Sequence, residues 1–130
     1  CFCTGCGSRN ARRDEADRVL AKSRKELTVF SQAALQTEVV PEGASFPGVE
    51  AIACFPPQTV EFLVGSGGLV PSASYYGFYY SPGNMPVGYQ GTDMALTPEG
   101  QGWSWHEDGG DNRYYTERLE EAWFYYEMSF

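Results

Sequence analysis

Histidine is nearly absent from this chain. One residue, His106, stands in 130, which excludes any site that needs two imidazoles. No run approaches the roughly 18 apolar residues that a membrane span requires. Cations are scarce beyond the N-terminus: residues 26–130 hold two, Arg113 and Arg118, against fourteen carboxylates, a net of −12. Residues 1–25 carry seven cations against three carboxylates, a net of +4, so the whole chain stands at −8. That balance argues against nucleic acid as a partner, because phosphate binding needs a basic surface. Glycine spacing also excludes a nucleotide loop, since Gly65-Ser66-Gly67-Gly68 fits neither the dinucleotide fingerprint nor the P-loop. No G-x-S-x-G nucleophile elbow occurs.

What remains is ordinary for one globular domain. The length falls within the roughly 100–200 residues of a single domain, and it suffices to bury a core without metals or disulfides. Apolar residues make up 42% and charged residues 20%, which is neither disordered nor fibrous. The basic arm ahead of the acidic body is either a segment that hugs an anionic membrane surface or a solvated helix of mixed charge.

Periodicity divides the chain. Residues 1–10 are polar and read as a tether, with a single domain over 11–130. From Arg12 to Gln36, residues Ala16, Leu20, Ser23, Leu27, Phe30 and Ala34 fall at spacings of four and three and line one helical face. Pro41 and Gly43 close that segment. Val49 to Phe55 and Thr59 to Val64 read as an antiparallel pair around Pro56-Pro57. Tyr75 to Tyr80 is a third strand, Pro86 to Gly91 a short fourth, and a fifth begins at Trp103 and Trp105. Asp108-Gly109-Gly110-Asp111-Asn112 is hairpin-turn chemistry. The aromatic stretch Tyr114 to Phe130 reads as a last strand, with Phe124, Tyr126, Met128 and Phe130 on one face and Trp123 and Tyr125 on the other. The expected fold is α+β, with one long N-terminal helix packed across an antiparallel sheet of about five to six strands. This order resembles cystatin-like helix-on-sheet arrangements, a likeness of architecture that carries no function.

The cysteines cluster at the start. Cys3-Thr4-Gly5-Cys6 resembles the lipobox of bacterial lipoproteins. The resemblance implies that Cys6 carries a lipid anchor, that Cys1 to Cys3 end a signal peptide, and that the domain is membrane-anchored and extracytoplasmic. Four thiolates binding zinc or an iron–sulfur cluster, disulfides, and the end of an uncleaved anchor stand as the other readings. Cys54, in the apolar run Ala51 to Phe55, reads as a buried core thiol.

Catalytic and metal chemistry find little support. His106 to Asn112 gathers oxygen ligands beside one imidazole but lacks the EF-hand pattern. Ser104 and His106 lack a nucleophile elbow. Glu117, Glu120, Glu121 and Glu127 are the candidates for a glycosidase pair, and Glu117, Glu121 and Glu127 share a strand parity, as a charged strand edge also does. No cofactor, metal or catalytic residue is expected. The excess lies in aromatics, twenty of the 130 residues. One helix covers one face of a sheet. The rings of the other face are therefore either open to a ligand or closed over by the loops 65–74 and 81–101. The first alternative gives a binding surface of Tyr76, Tyr79, Trp103, Trp105 and Tyr125. It suits a protein partner, a basic one given the charge, or a glycan stacked on the tryptophans. A small hydrolase using His106 or a Glu pair is the remaining alternative.

Overall fold

The computed structural model describes residues 4–67 and 73–130, with side chains from residue 9 onward. The chain is α+β, as expected, but the helical segment is two helices. α1 (Thr4–Lys22) and α2 (Arg24–Thr37) are separated at Ser23. Its backbone leaves the helical region (φ −133°, ψ 26°), while its carbonyl accepts the Leu27 N–H at 2.8 Å to start α2. The break re-aims the seam. Ala16 and Leu20 of α1 and Leu27 and Ala34 of α2 are all buried on the sheet. The expected tether is also helical from Thr4 onward. Cys1 and Cys3 lie outside the described residues; the backbone of Cys6 lies in the first turn of α1, and its side chain is outside what is described.

Among the described residues the sheet has seven strands rather than five to six: β1 (Ala51–Phe55), β2 (Thr59–Gly67), β3 (Ser74–Tyr80), β4 (Thr97–Glu99), β5 (Gly102–His106), β6 (Arg113–Glu120) and β7 (Trp123–Ser129). Their order is β1-β2-β3-β7-β6-β5-β4. Two antiparallel meanders meet where β3 pairs with β7. The expected strand over Pro86 to Gly91 is instead loop with a 3-10 turn at Tyr89–Gly91. Tyr114 to Phe130 folds back on itself, because Ala122 takes a left-handed conformation (φ 70°) and turns β6 into β7.

This topology closes the second face. The chain leaves β3 in the middle of the sheet and reaches β4 at its edge, so residues 81–96 must cross one face. They bring Val87, Tyr89, Met94 and Leu96 onto Tyr79, Tyr114, Phe124, Tyr126 and Met128, which are all buried. The helices cover the other face, packing on Val60, Phe62, Phe78, Tyr80, Trp123 and Tyr125. The alternating parity read for Trp123 to Met128 holds, and both of its sides are interior. Cys54 packs half-buried at the edge of the helix-side core, where its thiol donates to the Ala34 carbonyl at 3.5 Å. Burial pushes its pKa up, with the Glu38 charge adding to the effect, and a raised pKa disfavours the reactive thiolate.

Candidate functional site

The five aromatics expected to form one binding surface lie on two faces. Tyr76 and Tyr125 face the helices, and Tyr79, Trp103 and Trp105 face the crossing loop. Tyr79 and Tyr125 are both fully buried, so neither ring is free to stack on a ligand. The Tyr79 hydroxyl is held 2.7 Å from Thr116 Oγ1 and accepts the Val87 N–H at 3.1 Å, which fastens the crossing loop to the sheet. Burial raises its pKa to about 12. Trp103 and Trp105 are half-buried and pack at the margin of the loop-side core. The open aromatic face is therefore replaced by an aromatic interior, and the reason is the path of residues 81–96.

A different constellation occupies the helix side. Tyr115 and Glu117 are two apart on β6, and Tyr125 and Glu127 are two apart on β7, so each pair shares a face. The register sets Tyr115 opposite Glu127 and Glu117 opposite Tyr125. The result is a two-by-two checkerboard of tyrosine and glutamate. Tyr115 donates its hydroxyl to Glu117 Oε1 at 2.6 Å, and Tyr125 donates to Glu127 Oε1 at 2.7 Å. The second oxygen of each carboxylate accepts from a guanidinium of α1: Arg13 Nη1 to Glu117 Oε2 at 2.9 Å, and Arg9 Nη2 to Glu127 Oε2 at 3.1 Å. Arg9 also lies 3.9 Å above the Tyr115 ring and 3.6 Å from Glu99.

The electrostatics follow from these neighbours. Burial pulls the Arg9 pKa down, but the hydrogen bond and charge of Glu127 outweigh it, and the guanidinium ends above its ordinary value. Burial pushes the Tyr115 pKa up, and donation to anionic Glu117 pushes it further. Burial does the same for Tyr125, with the Glu127 charge adding to it. Both phenols thus stay protonated as donors. A third contact repeats the pairing in reverse. Tyr76, leaning over Gly65 where a Cβ would meet its hydroxyl, donates to Glu15 of α1 at 2.7 Å beneath the Arg12 guanidinium. Burial lifts the Tyr76 pKa to about 12, and the Glu15 contact adds to it.

Beside the checkerboard an open groove of about 880 Å³ runs between α1 and the ends of β5, β6 and β7. Arg9, Arg12, Arg113, Glu99, Asp111, Tyr115 and Glu127 line it, as do Ser104 and His106. His106 is exposed at the end of β5. Glu117 and Glu127, the Glu pair on a shared face, have both oxygens engaged by a phenol and a guanidinium, which suits the holding of cations better than attack on a glycoside. Glu121, grouped with them by parity, sits in the turn before β7. Among the described residues no three of His, Cys, Asp and Glu are grouped to hold a metal ion, and no helix is long and apolar enough to cross a membrane.

The checkerboard was not read from the sequence, although a signal exists. The pattern Tyr-x-Glu occurs twice, at Tyr115-Thr116-Glu117 and Tyr125-Tyr126-Glu127. Only the unrecognised turn at Ala122 sets the two copies side by side. Compared with known proteins, the chain matches no family model, no curated protein and no solved structure.

Proposed function

We propose that this chain is a non-enzymatic binding domain that takes a basic protein partner on the acidic, tyrosine-lined side of its sheet. One observation carries the reading: each checkerboard carboxylate takes a phenol on one oxygen and a guanidinium on the other, so the surface is already shaped to hold arginine. The adjoining groove is of mixed charge, with Glu99, Asp111 and Glu127 beside Arg9, Arg12 and Arg113. The body charge of −12 over residues 26–130 speeds encounter with a cationic partner. The lipobox-like Cys3-Thr4-Gly5-Cys6 supports an extracytoplasmic, membrane-anchored site of action, with Cys6 as the lipidated residue.

Isothermal titration with an arginine-rich peptide at low salt tests the binding claim. Saturable binding is expected, and it should weaken at least tenfold, about 1.4 kcal/mol, in the Glu117→Gln/Glu127→Gln variant, which keeps shape and removes charge. Equal affinity for the parent and the variant would refute the assignment. A glycan-binding reading rests on Trp103 and Trp105, half-buried together on one face of β5. Quenching of tryptophan fluorescence by oligosaccharides, with no response to the peptide, would favour it.

A further inference from the structure

The partner that fits this face has a template in the chain itself. Arg9 and Arg13 are four residues apart on α1, which places them one above the other on one side of the helix. They meet Glu127 and Glu117, which stand diagonally across the β6–β7 pair. A helix with arginines four apart therefore matches the spacing of the two carboxylates.

The hold on this part of α1 is polar. From Thr4 to Glu15 the helix contains Cys6 and Ala11 and no larger aliphatic or aromatic residue. The apolar anchorage begins at Ala16 and Leu20. Ahead of it the described contacts are ion pairs of Arg9 and Arg13, ring contacts of Arg9 and Arg12, and the hydrogen bond that Glu15 accepts from Tyr76, with the Arg9 and Arg13 side chains 37% and 29% exposed. Their partners Glu127 and Glu117 are only 16% and 10% exposed, so each pair sets charge attraction against the cost of desolvation rather than burying apolar surface. A second helix that supplies the same polar contacts can therefore take the place of the first three turns, while Ala16 and Leu20 keep the rest of α1 in place.

We infer that the partner segment is a helix bearing arginines four residues apart, and that the N-terminal turns of α1 are the resident competitor it displaces from Glu117 and Glu127. This rests on the reading of the face as a site for a basic protein. A ligand that needs the vacated face binds with an affinity reduced by the fraction of time the face is free. Removing the resident arginines should therefore tighten binding.

The test uses the full chain and two alanine-rich peptides of equal charge, one with two arginines four apart and one with them two apart, on opposite helical sides. Arg9→Gln/Arg13→Gln is expected to bind the first peptide about tenfold more tightly than the parent does, and to bind the second no better than the parent does. Circular dichroism establishes that the variant is folded. If it is not, Arg9→Lys/Arg13→Lys, which keeps charge and loses the planar fork, should show a smaller gain for the same peptide. Equal affinity in parent and variant, or indifference to spacing, overturns the competitor while leaving an acidic binding face. No binding of either peptide by either protein overturns both that face and this inference.

Discussion

Phe62→Ala is expected to lower the free energy of unfolding by about 3–5 kcal/mol, the usual cost of deleting a buried phenylalanine. The ring is fully buried in β2 and sits where helices and sheet meet. It stacks on Phe78 at 5.1 Å, lies 5.9 Å from Trp123, and meets Phe30 of α2 and Phe46 at 6.1 and 6.3 Å. Truncation leaves those four rings without their shared neighbour, and the layers on either side are tied to strands and helices that limit collapse. Urea unfolding followed by tryptophan fluorescence measures the loss. A change under 1 kcal/mol would mean that the helix-side core is not packed as described.

The preceding residue points to the opposite face and gives the second large effect. Glu61 is 6% exposed among the aromatics under the crossing loop, and its Oε2 accepts the Gln90 N–H at 2.6 Å. Burial raises its pKa to about 7, against an ordinary 4.5, the Gln90 hydrogen bond offsetting part of the rise. The folded state therefore binds this proton more tightly than the unfolded chain does. The contribution to stability is fully present below about pH 4.5 and is lost as pH rises through about 7. The full swing is about 3 kcal/mol. Glu61→Gln, which still accepts from Gln90, should match the parent near pH 4 and be about 3 kcal/mol more stable at pH 8. Denaturant midpoints across that range check this, and parallel curves for the two proteins would contradict it.

Residues 61 and 62 also show which parts of the fold the sequence reveals. Strand alternation is local, so the two sides of Trp123 to Met128 and the helical seam from Ala16 to Ala34 could be read directly. The segregation of charge was equally plain, and it now has a structural role in the pairing of Arg9 and Arg13 with Glu127 and Glu117. Three features were hidden for stated reasons. The β6–β7 turn runs through Glu121 and Ala122, which carry none of the Gly, Asn or Asp that mark tight turns, so two strands read as one. The cover of the second face depends on strand order, because only a link from central β3 to edge β4 has to cross the sheet. A carboxylate at position 61 inside an alternating strand reads as a solvent-facing residue until that crossing is known. The aromatics expected to bind inherit these gaps. Tyr125 belongs to the arginine-holding face and Tyr76 stands beside it, whereas Tyr79, Trp103 and Trp105 belong to the other side of the sheet.

The dock proposed for a cationic partner is the tyrosine–glutamate face of β6 and β7. The most direct measurement is a nuclear magnetic resonance titration of the labelled chain with an arginine-bearing helical peptide. The backbone signals of Tyr115, Glu117, Tyr125 and Glu127 should shift together and saturate, while the Trp103 and Trp105 indole signals stay in place. Movement of the indoles with a silent β6–β7 face would contradict it.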